Sequence, residues 1–160
     1  MMTKVLFVCL GNICRSPMAE GVFIDLLKQH NLSDQIYCES AGTAAYHTGE
    51  LPDSRMRDTA RKHGIELTSR ARQVEAQDLH EFDYVLAMDQ SNYRNIMQLT
   101  QEPESIKAKV MLMRDFDEQE KGGEVPDPYY GGLDGFENVY QILKRSNEKF
   151  LASIQQKVDG

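Results

Sequence analysis

The chain has 160 residues, 41% of them hydrophobic, which is typical of a single domain with one packed core. Its 25 acidic and 18 basic side chains give a formal net charge of −7, which argues against a nucleic-acid partner because such a partner needs a basic face. No stretch approaches the roughly 20 apolar residues of a membrane span, so no membrane partner is expected. The apolar run at residues 5–10 is interrupted too early for a secretory signal.

Cysteine and histidine usage bears on the compartment and on metals. Cys9, Cys14 and Cys38 are an odd number in a chain large enough to fold without disulfides. That usage is typical of a reducing compartment, so we expect a cytoplasmic protein. The four histidines show no metal-ligand spacing and complete no tetrahedral set with the cysteines. We expect neither a metal nor another cofactor.

Apolar runs alternate with helical patterns along the chain. Strands are predicted at residues 4–9, 35–40, 83–88 and 107–113. Helices are predicted from Pro17, over 53–63 with Asp53 as its cap and Gly64 at its end, over 91–99, and from about Asp134. The alternation predicts an α/β fold, a small doubly wound sheet of about four parallel strands with helices on both faces. Residues 1–160 are expected to form one domain, in which residues 115–127 are a long loop.

The turn after the first strand, residues 9–16, reads Cys-Leu-Gly-Asn-Ile-Cys-Arg-Ser. Ligands of open parallel sheets bind beyond the carboxyl ends of the strands, and a helix N-terminus placed there favours an anion. Gly11 and Asn12 are the residues best suited to left-handed backbone geometry, and Arg15 offers a planar fork for two oxygens. The turn is predicted to bind a tetrahedral dianion through Leu10, Gly11, Asn12, Ile13, Cys14, Arg15 and Ser16. We call residues 9–16 the phosphate loop.

Cys9 lies at the base of the phosphate loop. A helix N-terminus and an arginine both favour its thiolate, which is the nucleophilic form. A thiolate below a bound phosphate indicates attack on phosphorus through a cysteinyl-phosphate intermediate. Ser16 is placed to donate a hydrogen bond to that sulfur and make it a better leaving group. The lysine of a nucleotide-binding P-loop is missing from this sequence.

Four strings in order resemble the low-molecular-weight protein tyrosine phosphatases, and the resemblance covers essentially the whole chain. They are Cys-x5-Arg-Ser at residues 9–16, Ser-Ala-Gly-Thr at 40–43, Met-Asp-Gln-Ser-Asn at 88–92 and Asp-Pro-Tyr-Tyr at 127–130. The resemblance implies hydrolysis of phosphotyrosine in protein substrates, with Cys9 as nucleophile, Arg15 holding the phosphate and Asp127 as general acid and base. It also implies inhibition by inorganic phosphate and similar oxyanions.

The resemblance further implies supporting roles. Hydrogen bonds of Asn12, Ser40 and Asp89 would hold the shape of the phosphate loop. Asp89 is also a candidate cap of the helix that follows it, and capping and bracing do not exclude each other. The walls of the slot for the aromatic ring would be Tyr46, Tyr129 and Tyr130.

Cysteine pairing and one departure from the family pattern complete the resemblance. A reversible disulfide between Cys9 and Cys14 is the family's protection of the nucleophile, and Cys14 as a plain loop residue is equally open. Ser69 stands where the animal members carry a histidine that braces the loop asparagine. The bracing of the asparagine is therefore expected to differ in this chain.

Alternative functions remain open at this point. Thioredoxin-coupled arsenate reductases use further cysteines after the third strand, where this chain reads Ala-Met-Asp at residues 87–89. Protein arginine phosphatases carry threonine at the position of Ile13, whose branched apolar side chain favours an aromatic ester. A catalytically silent phosphate-binding or redox-sensing module would not need Asp127. Weak self-association and phosphorylation of the paired tyrosines are also left open.

Overall fold

The computed structural model describes residues 2–128 and 132–159 and contains four strands and five α-helices in this part of the chain. The strands are β1 (Thr3–Cys9), β2 (Ile36–Gly42), β3 (Tyr84–Ala87) and β4 (Lys109–Leu112). The helices are α1 (Arg15–Gln29), α2 (Ser54–Lys62), α3 (Asp78–Glu81), α4 (Gln90–Met97) and α5 (Leu133–Asp159), with a 3-10 turn at Pro103–Ser105.

All four strands are parallel, in the order β2-β1-β3-β4. The chain therefore leaves β1 toward one side, for β2, and returns to its other side, for β3. Such a topological switch point opens a crevice at the carboxyl ends of the strands. Cys9, the last residue of β1, pairs with Gly42 of β2 and lies at that edge.

The two faces of the sheet pack against different helices. Val5 and Phe7 of β1 belong to the larger hydrophobic core, which contains the apolar faces of α1 and α5. Leu6 and Val8 point the other way into a smaller core with Ile96 of α4. Alternate residues of a strand face opposite sides, so the buried run of β1 requires cover on both sides. The predicted doubly wound fold with four parallel strands is confirmed.

Helix ends were predictable where a local cap exists. Asp53 caps α2, and its Oδ1 accepts a hydrogen bond from Arg55 N at 2.8 Å. Gly64 follows α2 with φ of +78°, the left-handed geometry that glycine adopts without strain. The four-residue α3 and the 3-10 turn were not predicted, because one turn of helix is too short to show a 3.6-residue period. Strand β2 runs to Gly42, beyond the predicted residue 40.

Within the ranges 2–128 and 132–159, no helix combines the length and apolarity needed to cross a membrane. The same ranges hold no group of three or more His, Cys, Asp or Glu side chains that could bind a metal ion.

Phe150 of α5 provides a test of the larger core. Its fully buried ring contacts Phe23 of α1, Tyr84 of β3 and Phe116 of the following loop, with centroids 5.1–5.6 Å apart. Phe150→Ala should lower the free energy of unfolding by about 3–5 kcal/mol, because it removes aromatic area and leaves a cavity. Urea denaturation measures this loss. Exposed Lys144→Ala in the same helix should stay within about 0.5 kcal/mol of wild type, and an equal loss in both variants would contradict the prediction.

Candidate active site

The phosphate loop connects β1 to α1 by a turn that depends on close backbone packing. Asn12 has φ of +59° there, as predicted for a left-handed position. Gly11 was predicted to share that geometry, and this was wrong, because its φ is not in the left-handed range. Space is limited at Gly11 instead, since a Cβ atom would lie 3.1 Å from Cδ2 of His47 and this ring would have to move by a few tenths of an ångström. At Gly42 a Cβ atom would lie 2.7 Å from the carbonyl oxygen of Leu10.

The sulfur of Cys9 is buried and surrounded by hydrogen-bond donors. The backbone N–H of Asn12 donates to Sγ over 3.3 Å, and Oγ of Ser16 lies 3.0 Å from it. Ser16 Oγ also accepts a hydrogen bond from Asn12 Nδ2 at 2.8 Å, and the carbonyl oxygen of Ala41 lies 3.3 Å away. The hydroxyl proton can therefore point to sulfur or to that carbonyl. A negative charge on sulfur favours the first, so these contacts stabilise a thiolate.

Arg15 begins α1 and is only 3% exposed. Its Nη1 donates to Asp89 Oδ2 at 2.8 Å and to the carbonyl oxygen of Val125 at 3.0 Å. Its Nη2 lies 3.5 Å from Asp127 Oδ2. Burial opposes the charged form, but the charge of Cys9 and the hydrogen bond to Asp89 raise the pKa of Arg15 above its ordinary value. A permanent cation is thus held beside the sulfur.

Asn12, the predicted support within the loop, is held at both ends of its side-chain amide. Its Nδ2 donates to Ser16, and its Oδ1 accepts from the backbone N–H of Arg72 at 3.0 Å. The backbone of residue 72 therefore braces the asparagine in this chain. The sequence did not predict this contact, because a backbone N–H is present whatever the residue type, proline excepted.

Ser40 and Ser69 meet at Glu20, a residue of α1 that the sequence did not single out. Ser40 Oγ donates to a carboxylate oxygen of Glu20, and Ser69 also hydrogen-bonds this carboxylate. Burial raises the pKa of Glu20, and the two serine hydrogen bonds partly counter that rise. Ser69 thus holds Glu20. The contact could not be predicted because a lone glutamate in a helix resembles any solvated residue.

Asp89 has two roles in the structure. One oxygen binds Arg15, and the other accepts from Asn92 N at 2.7 Å as the N-cap of α4. The sequence left capping and bracing open together, and both contacts are present. A side chain held by a helix end keeps its ion-pair partner in one place, so the cap contributes to the position of Arg15.

Arg15, Cys9 and Asp127 line one pocket of about 250 Å³, which we call the catalytic pocket. Leu10, Gly11, Ile13, Cys14, Tyr46 and His47 complete its lining. Tyr46 is 75% exposed, so it stands at the entrance. His47 was not predicted to line it; Nδ1 of this residue lies 2.8 Å from Glu50 Oε2. Tyr129 and Tyr130, the other predicted slot residues, lie outside the described part of the chain.

The long loop predicted at residues 115–127 is held by a buried ion-pair network. Asp117 is fully buried and accepts hydrogen bonds from Arg114 Nε and Arg145 Nε, both at 2.8 Å. Arg114 Nη1 then donates to the carbonyl oxygen of Glu124 at 2.9 Å, next to the Val125 carbonyl that binds Arg15. The segment that leads to Asp127 is therefore anchored to α5 and to the phosphate loop.

The two thiols of the phosphate loop differ in their surroundings. Cys14 is 4% exposed, and burial together with the nearby carboxylate of Asp53 raises the pKa of its thiol. A thiol in such surroundings is a poor nucleophile at neutral pH. Cys9 has the Ser16 and Asn12 donors instead. The geometry therefore favours Cys9 as the reactive sulfur, and a disulfide between the two stays a prediction.

The family model for the low molecular weight phosphotyrosine protein phosphatase matches residues 4–159. The chain belongs to this family. The low molecular weight phosphotyrosine protein phosphatase of Rattus norvegicus is 45% identical over 148 residues, which are 92% of this chain and 93% of the relative.

Two solved phosphatase structures closely resemble the structure of this family member. A protein tyrosine phosphatase from Entamoeba histolytica, with Hepes in its active site, superimposes with a TM-score of 0.91 at 43% identity, covering 97% of this chain and 98% of that one. A drosophila arginine phosphatase gives a TM-score of 0.89 at 34% identity, covering 96% and 98%. The family resemblance read from the four strings is confirmed.

Gly42 tests the close packing around the phosphate loop. In Gly42→Ala the new methyl group would meet the Leu10 carbonyl at 2.7 Å and Asn12 N at 3.1 Å, both backbone atoms that yield only if the loop moves. We expect kcat/KM for phosphotyrosine to fall about 10²-fold, the usual effect of a misplacement near 1 Å. Steady-state kinetics measure this, and circular dichroism verifies that the variant is folded. A folded variant with wild-type kinetics would show that the loop tolerates the displacement.

Asp117 gives a pH-dependent test of the network. Burial opposes its ionisation, but hydrogen bonds from Arg145, Gln119 N and Arg114 lower its pKa to about 2. Because the folded pKa lies below the unfolded value of about 3.9, its stabilisation is complete above about pH 5 and is lost as pH falls toward 2.

Asp117→Asn should therefore destabilise the fold most at neutral pH, by about 3–5 kcal/mol, and progressively less below about pH 4. Chemical denaturation across pH measures the difference from wild type. Exposed Asp34→Asn is the matched control, with no such dependence expected. If the loss of stability in Asp117→Asn were constant from pH 7 to pH 3, it would contradict the lowered pKa of Asp117.

Proposed function

We propose that this protein hydrolyses phosphotyrosine esters in protein substrates through a cysteinyl-phosphate intermediate on Cys9. The observation that carries the proposal is the ion pair of Arg15 with Asp89, which holds a buried cation beside the Cys9 sulfur. The phosphate oxygens would bind to the N–H groups of the phosphate loop and to the guanidinium edge. The catalytic roles are assigned to Cys9, Arg15 and Asp127.

In the first step the Cys9 thiolate attacks phosphorus and the bond from phosphorus to the tyrosine oxygen breaks. The leaving phenolate takes a proton from the carboxylic acid of Asp127, so that neutral tyrosine departs. Arg15 and the loop N–H groups stabilise the charge on the equatorial oxygens of the loose transition state. Asp127 is placed for the acid role because it lines the catalytic pocket together with Cys9, and its side chain, 43% exposed, can exchange protons with solvent.

In the second step a water molecule attacks the phosphorus of the cysteinyl phosphate. Asp127, now a carboxylate, accepts a proton from this water, and the bond between sulfur and phosphorus breaks. The electron pair returns to Cys9 as a thiolate. The Ser16 hydroxyl, 3.0 Å from sulfur, stabilises this leaving group by turning its proton toward it. Inorganic phosphate is released, and the enzyme is restored without a metal step.

The shape of the catalytic pocket supports an aryl ester. Cys9 is only 3% exposed at its floor, whereas Tyr46 stands at its entrance with a largely exposed ring. A long, flat side chain reaches such a sulfur more easily than a short phosphoserine does. Ile13 and Tyr46 offer apolar walls to a phenyl ring. Tyr129 and Tyr130 are proposed as further walls on the strength of the family resemblance alone.

Phosphoarginine is the second candidate substrate, because the drosophila arginine phosphatase shares this fold at 34% identity. Ile13 in the catalytic pocket supports an aromatic ester over phosphoarginine as the substrate.

Inhibition by phosphate-like oxyanions is proposed because the Entamoeba histolytica relative holds Hepes, a sulfonate, in its active site. We propose a cytoplasmic location from the three unpaired cysteines. A single domain over residues 1–160 is also proposed, supported by one sheet that both cores share.

Kinetics of wild type and three variants in buffer containing EDTA test the proposed function. Wild type should hydrolyse a phosphotyrosine peptide faster than the matching phosphoarginine peptide, and Cys9→Ser should be inactive. Asp127→Asn should lower kcat/KM, which reports the steps up to loss of the leaving group, about 10²–10⁴-fold on the phosphotyrosine peptide and much less on p-nitrophenyl phosphate, whose leaving group needs no proton. It should lower kcat on both substrates where hydrolysis of the intermediate limits the rate, because that step needs Asp127 as a base. Exposed Asp34→Asn is the control. Activity that survives Cys9→Ser or disappears with EDTA would exclude the mechanism, and faster turnover of phosphoarginine would change the substrate.

A further inference from the structure

A second pocket adjoins the catalytic pocket and shares Ile13 and His47 with it. Its other walls come from residues 49–54, from Arg57 of α2 and from Arg70. A ligand that fills the catalytic pocket and continues across this shared wall enters the second pocket directly. We refer to it below as the arginine pocket.

The carboxylates of the arginine pocket already have other hydrogen-bond partners. Asp53 binds Arg55 through both oxygens, at 3.1 and 3.0 Å, and caps α2 as well. Glu50 Oε2 lies 2.8 Å from Nδ1 of His47. Neither of these two carboxylates forms an ion pair with Arg57 or Arg70.

Arg57 and Arg70 form no ion pair with any residue in the ranges 2–128 and 132–159. Arg70 Nη1 donates to the carbonyl oxygen of Gly49 at 3.1 Å, which is a neutral partner. Nε of Arg57 is buried and makes no hydrogen bond within those ranges. A buried donor without an acceptor is unfavourable, and a carboxylate oxygen would satisfy it.

The lack of carboxylate partners for these two arginines contrasts with the rest of the molecule. The chain carries net charge −7, and most arginines of the described part are paired with carboxylates, as Arg55, Arg61, Arg72, Arg114 and Arg145 are. Two unpaired guanidinium groups in one pocket beside the catalytic pocket therefore indicate a place for an anion that comes with the substrate.

We propose that the arginine pocket binds a carboxylate side chain of the substrate, an aspartate or glutamate within two residues of the phosphotyrosine. The shared wall sets this spacing, because an extended peptide advances only about 3.3–3.5 Å per residue. Arg57 and Arg70 are then specificity-determining residues that contact the substrate away from the reacting phosphorus. The inference rests on the proposed function of the catalytic pocket.

Paired peptides test the proposal. One set carries glutamate at the two positions on each side of phosphotyrosine, and the matched set carries glutamine. Wild type should hydrolyse the glutamate set with a kcat/KM about tenfold higher than that of the glutamine set, mainly through a lower KM. This factor lies between the effect of an exposed ion pair and that of a hydrogen bond to a charged group. Arg57→Gln and Arg70→Gln should each reduce this ratio, and the double variant should bring it close to one.

Lys62→Gln is the matched control, because Lys62 is an exposed cation of α2 outside the arginine pocket. It should keep the wild-type ratio. A ratio of one in wild type, a ratio that survives in the double variant, or an equal fall in Lys62→Gln would each overturn the proposal; the last would indicate a general charge effect. Hydrolysis of phenyl phosphate, which has no flanking side chain, tests the proposed function separately. If wild type did not hydrolyse phenyl phosphate, the proposed phosphatase function itself would be refuted.

Discussion

The buried guanidinium of Arg15 joins three separate parts of the chain at the carboxyl edge of the sheet. It lies in the phosphate loop after β1, binds Asp89 after β3 and binds the Val125 carbonyl of the late loop. Removing it would leave a carboxylate and a carbonyl without their charged donor, which is far more costly than an unmade surface contact. The same group sets the field at the sulfur and the approach of Asp127, so the fold and the chemistry depend on one ion pair.

An acidic protein can hold a phosphate dianion because electrostatics at this range are local. Exposed charges are screened beyond about 8–10 Å at ordinary ionic strength, so the net charge of −7 acts only weakly inside a pocket. Arg15 is partly neutralised by Asp89, and oriented N–H groups of the loop supply the rest of the positive potential. Because these donors are fixed by the fold, little reorganisation is needed when charge develops on the phosphate.

Features encoded by local pattern were predictable, and contacts between distant backbone atoms were not. The strands, the caps at Asp53 and Asp89 and the left-handed Asn12 follow from residue type and spacing. Gly11 was misread because a glycine signals either unusual φ or lack of space, and only His47, 36 positions away, shows which one applies. The brace from Arg72 N could not be inferred, since every residue except proline offers the same donor.

Catalysis and substrate choice depend on physically separable parts of this site. The nucleophile is held largely by backbone atoms and buried side chains, such as Asn12 N, the Arg72 N–H and the tight contact at Gly42. The surfaces proposed to meet the substrate beyond the phosphate are partly exposed side chains, such as Tyr46 between β2 and α2 and Arg57 in α2. Substitution of these side chains would leave the loop's hydrogen bonds in place. Selectivity can therefore vary while the phosphate chemistry stays the same.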